Sequence, residues 1–271
     1  MRRRVVRFVF RLRDVGSAFF RVGLQQALAY PLSFAQSLLS ALIPALIFFF
    51  VSKLVPRPDY YSSVIIGLVV GGVLDIGVRG FSREIDVAIN RGWLEMFLVE
   101  PVRWRSLPFA MSFWPTTQGF ITVSLITGTA LILGADFNVS GVPISLVMLL
   151  LSLAAGFVIG TLSATIKILA KAGDPILFIY GIATQIFSGV FFPIEVLPAP
   201  LRVISWMLPH TYAIASVRSV LLPASATDQI ISIQTASTVL LLFCLIGYPL
   251  ALWIFGRALE YGRRIGVLSG Y

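Results

Sequence analysis

Apolar residues in this chain fall in runs too long for a soluble fold, and polar residues are confined to the gaps between them. A helix needs about 20 apolar residues to cross the ~30 Å hydrocarbon core of a bilayer. Six runs approach or exceed that length, at about 32–54, 60–78, 107–133, 142–169, 176–192 and 230–255. They predict an all-α polytopic membrane protein with six transmembrane helices. Pro31 marks the start of the first, and Pro193 stops the fifth, which is the shortest. Gly67, Gly71 and Gly72 in the second run, and Gly156 and Gly160 in the fourth, are small residues at the spacing that lets two helices approach closely.

Three stretches do not fit a simple alternation of span and loop. At the N-terminus, Arg4, Arg7 and Arg11 share one helical face and Val5, Phe8, Val9, Leu12 and Phe19 another. That predicts an interfacial amphipathic helix over 1–27, basic side toward anionic headgroups. Arg7, Arg11 and Arg13 interrupt what would be the apolar region of a signal peptide, so the segment is expected to be retained. Between the second and third runs, 79–105 is polar, basic and helix-capable. Between the fifth and sixth, 193–227 carries Pro193, Pro198, Pro200, Pro209 and Pro223 yet stays apolar, with Trp206 and Tyr212. It predicts short helices near 201–208 and 212–222, re-entrant or interfacial on the outer side, where protein or water must satisfy any non-helical backbone.

Composition agrees with this pattern. Of the 271 residues, 58% are hydrophobic and 12% charged, with a mean hydropathy of +0.92. The stretches between runs are too short for an independent core, so 1–271 reads as a single transmembrane domain. The net charge of +9 would suggest nucleic acid for a soluble chain. Here 17 of the 21 Lys and Arg fall on the side of the N-tail, of 79–105, of the Lys167–Lys171 loop with Asp174-Pro175, and of the C-tail. Only Lys53, Arg57, Arg202 and Arg218 fall opposite. That bias places both termini in the cytoplasm, in a cytoplasmic (inner) membrane with lipid and not nucleic acid as the partner.

Candidate chemistry is sparse. There is no P-loop and no zinc-protease motif. His210 is the single histidine, which excludes a multi-histidine metal site, and its place near a helix end reads as structural. No serine has an elbow motif and a base, so no catalytic residue is assigned. Cys244 lies within an apolar run as a small hydrophobe. Asp75 is an acid inside the second span, with Arg79 one helical turn on as its partner. With few other charges inside the spans, an ion-coupled carrier is disfavoured, and the energy for any work must come from another subunit.

The segment Arg91-Gly92-Trp93-Leu94-Glu95-Met96-Phe97-Leu98-Val99-Glu100-Pro101-Val102 resembles the cytoplasmic coupling helix of ABC-2 type transporter permeases, which join spans two and three by an R-G-x-x-E-x-L-x-x-x-P-like run. Phe97 stands where leucine is usual, and Trp93 and Glu100 where small or hydroxyl residues are. Ser188–Pro198, continuing through Leu208-Pro209-His210-Thr211-Tyr212 to Arg218, is similar to that family's segment between spans five and six. The resemblance implies a permease subunit without its own ATPase site. A separate ATP-binding cassette subunit would carry ATP and Mg, and a second permease copy, identical or closely related, would complete the pathway. It assigns coupling to the ATPase to Arg83, Glu84, Arg91, Gly92, Trp93, Glu95, Phe97 and Pro101, in a helix-in-groove contact. It assigns an outer gate or cargo pathway to Phe191, Phe192, Pro193, Glu195, Trp206 and Tyr212. The expected cargo is amphipathic or lipid-like, with a lipid-linked polysaccharide as the alternative. A passive channel or membrane scaffold, and an intramembrane lipid-modifying enzyme, are the readings from other classes.

Overall fold

The computed structural model describes the backbone of residues 2–93, 106–170, 174–222 and 231–264, with side chains from residue 16 onward apart from 170, 263 and 264. All regular structure among them is helical: α1 Arg2–Ala29, α2 Pro31–Ser52, α3 Tyr60–Asn90, α4 Leu107–Met111, α5 Phe113–Ile132, α6 Val142–Ala170, α7 Pro175–Phe187, α8 Ala199–Met207, α9 Pro209–Leu221 and α10 Ile233–Arg264, with 3-10 turns at Val139–Gly141 and Ile194–Val196. Among the described residues, four helical segments are long and apolar enough to cross a membrane: Pro31–Ser52, Tyr60–Asn90, Val139–Leu169 and Ile233–Gly262. α5 has 20 residues, but Gln118 and five threonines dilute its hydropathy. Thr117, Thr122 and Thr127 turn their hydroxyls back onto the carbonyls four residues earlier, which keeps them satisfied away from water. α7 is apolar but has 13 residues, about 20 Å of helix.

α3 and α6 form the centre, packed along most of their lengths, with α9 and α10 against one flank and α5, α2 and α1 against the other. Glycine permits the central crossing. A Cβ on Gly156 would stand 2.2 Å from the Leu74 carbonyl oxygen, and one on Gly160 would stand 2.4 Å from that of Gly77. The backbones therefore meet with no side chain between them. Gly77 supplies the α3 side of this contact, where the sequence points to Gly67, Gly71 and Gly72. Around it lies a core of Val70, Leu74, Val78, Ala155, Ile159, Ala213, Ile214 and Leu240.

Three elements depart from their sequence outlines for physical reasons. The second apolar run ends near residue 78, yet α3 continues to Asn90. Phe81, Ile85 and Ala88 recur at helical spacing and fill a second core with Leu107, Met111, Ile168, Phe255 and Leu259. Half of the polar 79–105 segment is thus the end of a long packed helix. The third run is divided at Ser112 into α4 and α5. Pro115 has no N–H for the carbonyl of Met111, so a new helix begins that takes Pro115 into its first turn. α7 stops at Phe187, short of the expected 192, and Gly189 follows in the left-handed region at φ +83°. Between Pro193 and Leu222 the predicted short helices are present as α8 and α9, each beginning one to three residues earlier than the outline. α1 extends through the expected interfacial segment to Ala29, and Phe20 packs edge-on to Phe113 and Trp114.

Candidate functional site: a polar clamp at one end of α3 and a cavity at the other

α3 carries both regions. At its C-terminal end, Asn90 is followed by a turn in which Gly92 adopts φ +69°. Trp93 N–H donates to the Ala88 carbonyl at 2.8 Å and Gly92 N–H to that of Ile89 at 3.1 Å, the paired bonds of a Schellman stop. Arg91 and Gly92, expected to begin a coupling helix, therefore end α3. The Arg91 guanidinium lies 5.0 Å from the centre of the Trp93 ring, a cation–π contact. Arg83, Arg91 and Trp93 are exposed and Glu84 is half-buried, so this end presents charge and an aromatic ring to its surroundings. Glu95, Phe97 and Pro101 lie outside the described residues.

Directly behind that surface, α3, α6 and α7 are tied together by polar side chains. Asp174 caps α7 by accepting the Leu177 N–H at 2.9 Å on Oδ1. Its Oδ2 accepts the Ser82 hydroxyl of α3 at 2.8 Å and the Ser163 hydroxyl of α6, and the two hydroxyls are themselves 2.8 Å apart. Lys167 Nζ lies 3.5 Å from Asp174 Oδ2 and 3.7 Å from Asp86 Oδ1, and donates to the Ser82 carbonyl at 3.4 Å. Burial acts to raise the Asp174 carboxyl. The hydrogen bonds from Ser163, Leu177 and Ser82 and the charge of Lys167 together outweigh it and hold the group below the usual carboxylate range. Of these five residues, the sequence singles out Asp86 alone, as a coupling-segment charge able to pair with a partner subunit; Ser82, Ser163, Lys167 and Asp174 do not read as a site. They are spaced across the chain without a motif.

Half-way along α3 the expected Asp75–Arg79 ion pair is present at 2.8 Å, with both side chains partly exposed. Nearby, Tyr180 Oη of α7 and His210 Nδ1 of α9 share a hydrogen bond of 2.8 Å, the tautomer deciding which donates. His210 is buried, and its role is to tie the start of α9 to α7.

At the other end of α3 the chain is irregular between α7 and α8, and arginines satisfy its carbonyls. Arg218 donates from Nε to the Ser63 carbonyl at 3.0 Å and from Nη2 to that of Val190 at 2.9 Å. Arg202 Nη2 donates to the carbonyls of Glu195 at 2.9 Å and Leu197 at 3.1 Å. Gly67 makes room, since a Cβ there would stand 2.3 Å from the Val190 oxygen. Arg218 in α9 is level with Ser63, in the first turn of α3. His210, eight residues earlier in α9, is then about 12 Å further along the bundle. α9 is thus buried in the bundle, whereas α8 buries only Ser205 and stays at its surface.

Between this segment, the Val55–Asp59 turn and α9 lies a cavity of about 600 Å³. Of the residues expected at an outer gate, Phe191, Phe192, Pro193 and Glu195 line it. Phe191 stacks on Phe48 at 5.3 Å between ring centres. Tyr212 and Trp206 do not line it; the Tyr212 hydroxyl donates to the Trp206 carbonyl at 2.8 Å. Among the described residues, no three His, Cys, Asp or Glu side chains come together as metal ligands would.

No curated protein matches the chain by sequence. The family model described as ABC-2 type transporter matches residues 18–222, from within α1 through α9, which covers the central α3–α6 pair, the clamp and the cavity. Such a membrane component has no ATPase site of its own, and the family pairs with an ATP-binding subunit. The chain is a multi-pass membrane protein of the ABC-2 type transporter family.

Proposed function

We propose that this chain is the permease subunit of an ATP-driven exporter in a cytoplasmic membrane. It crosses six times, by α2, α3, α4–α5, α6, α7 and α10, with both termini inside. Two copies, or this chain and a close relative, enclose the pathway, and ATP and Mg act on a separate cassette subunit docked at the surface around Arg83, Glu84, Arg91 and Trp93. The cargo is an amphipathic or lipid-like molecule.

The observation that carries this reading is the continuity of α3. One helix of 31 residues joins the charged Arg83–Arg91 end to the turn beside the cavity, and the Asp174 clamp fastens that charged end to the start of α7. α7 buries only Thr184. It is held by the clamp below, by the Tyr180–His210 bond half-way along and by the Val190–Arg218 bond beyond its upper end. A push on the end of α3 reaches the start of α7 through Ser82 and Asp174, and a tilt of α7 moves Phe191 and Phe192 at the cavity.

The test is to purify the chain gently with a C-terminal tag and identify what accompanies it at one-to-one stoichiometry. A P-loop protein should co-purify, and in liposomes its ATP hydrolysis should respond to amphipathic cargo. Exchanging Arg91 and Glu95 for alanine should leave ATP hydrolysis but abolish transport. A chain that purifies alone, with no ATPase activity, would mean a channel or scaffold instead. Transport of a lipid-linked glycan in place of a lipid or drug would keep the mechanism and replace the cargo.

A further inference from the structure

The cavity beside α9 is lined by two arginines, Arg57 and Arg218, and by two carboxylates, Asp59 and Glu195. Arg218 is part-buried at its wall and spends two N–H groups on the Ser63 and Val190 carbonyls. A guanidinium has five. The ion pairs among the described residues are Arg79–Asp75, Lys167–Asp86 and Lys167–Asp174; no described carboxylate lies within ion-pair distance of Arg218, and the charge of Glu195 acts on it only from further off. A cation partly withdrawn from water without a contacting anion is costly, and neutral carbonyls compensate only in part. Thr211 faces the same cavity. It is 2% exposed, and its hydroxyl has no hydrogen-bond partner among the described residues. A buried hydroxyl left unmatched is itself unfavourable. Arg57 stands exposed at the rim, and Phe191 and Phe192 supply an apolar wall.

We infer that this cavity binds the phosphate group of an amphiphile, with Arg218 and Thr211 on the phosphate oxygens, Arg57 closing the rim and the apolar part against Phe191 and Phe192. A tetrahedral oxyanion accepts from a guanidinium and a hydroxyl at once, which a neutral headgroup cannot do as well. A volume of about 600 Å³ holds a headgroup with the first part of its apolar chains. Asp59 and Glu195 also line the cavity. They oppose a second negative charge and so restrict the site to one phosphate. The site belongs to this chain alone and does not depend on the direction of transport or on a partner subunit.

The test uses the full chain in phosphate-free maltoside detergent and titration calorimetry. The probes are dioctanoyl phosphatidic acid, dioctanoylglycerol as the matched lipid without phosphate, and inorganic phosphate. Phosphatidic acid should bind saturably and the diglyceride at least tenfold more weakly, the size of one charge-assisted contact. Arg57→Gln should weaken binding about tenfold, and Thr211→Val about fivefold. Glu195→Gln should tighten it about threefold by removing a repelling charge, an effect in the opposite direction that general unfolding cannot imitate. Arg218→Gln should abolish binding, but it also frees two carbonyls, so the other three variants carry the test, each checked for an unchanged melting curve. Displacement by millimolar inorganic phosphate identifies a soluble phosphate as sufficient; no displacement identifies the lipid headgroup. Equal binding of phosphatidic acid and diglyceride, or affinities that ignore all three variants, would overturn the assignment.

Discussion

Asp174→Ala is the sharpest probe of the clamp. It removes the acceptor for the Ser82 and Ser163 hydroxyls, the cap on Leu177 N–H and the nearer of the two carboxylates facing Lys167. The cap alone is worth about 1 kcal/mol. Lys167 is 11% exposed and would retain only Asp86 at 3.7 Å, itself 54% exposed. Breaking a buried ion pair by removing one partner costs about 3–5 kcal/mol, and the remaining Asp86 contact argues for the lower end. Cap and ion pair together, about 4 kcal/mol, correspond to a drop in Tm of roughly 8–16 °C. The assay is thermal unfolding of the purified chain in detergent, for wild type, Asp174→Ala, Lys167→Met and the double variant. Lys167→Met should suppress part of the Asp174→Ala loss, leaving a coupling of about 1–2 kcal/mol. The sign of the pH dependence is also fixed. The folded carboxyl titrates below its unfolded value, so its contribution is complete above about pH 5 and is lost as pH falls through about 4 and below. Asp174→Ala should remove that acid limb and change nothing between pH 6 and 8. A Tm within 1 °C of wild type, or strict additivity with Lys167→Met, would refute the clamp.

Other outcomes follow from single contacts. Gly156→Val should prevent the α3–α6 crossing and leave little folded protein, because its Cβ would fall 2.2 Å from the Leu74 oxygen, whereas Gly128→Ala in α5 meets nothing within 4 Å and should be neutral or raise Tm slightly; both are read as monodisperse yield in detergent. Phe81→Ala removes a ring at 0% exposure packed edge-on to Phe255 at 5.4 Å and should cost about 3–5 kcal/mol in the same melts. Tyr180→Phe should cost about 1–3 kcal/mol by leaving His210 Nδ1 without its partner, and adding His210→Phe should recover part of that loss.

Local signals were readable in the chain and distant ones were not. The Asp75–Arg79 pair follows from a four-residue spacing, and the short helices α8 and α9 from prolines set in an apolar stretch. The extension of α3 was also written in the sequence. Phe81, Ile85 and Ala88 keep the helical period past residue 78, but Arg79, Arg83, Glu84 and Asp86 between them resemble a loop. The clamp had no such trace. Ser82, Ser163 and Asp174 lie 81 and 92 residues apart in their two longer contacts, and serine in an apolar helix is ordinary. Lys167 and Asp174 by themselves are charges of a short connecting loop. Arg218 is one cation among four on its side of the chain; only the fold reveals that it holds two carbonyls and faces a cavity. Gly67 and Gly71 form the four-residue pair that stands out in the sequence, while the geometry of α6 selects Gly77 as the residue that meets Gly156 and Gly160.

The short length of α7 has a consequence for the lipid around it. Its 13 residues give about 20 Å of apolar helix where the hydrocarbon core is ~30 Å thick. Phe178, Ile179, Ile182 and Ile186 face outward along it. In the proposed six-span arrangement, where α7 crosses beside the more than twice as long α3, lipid chains would have to shorten, tilt or disorder to meet this surface, pinching the bilayer along one side of the molecule. Such mismatch costs fractions of a kcal/mol per Å. Acyl chain length then becomes a control on the protein: thin membranes relieve the pinch, and thick ones pull on α7 itself.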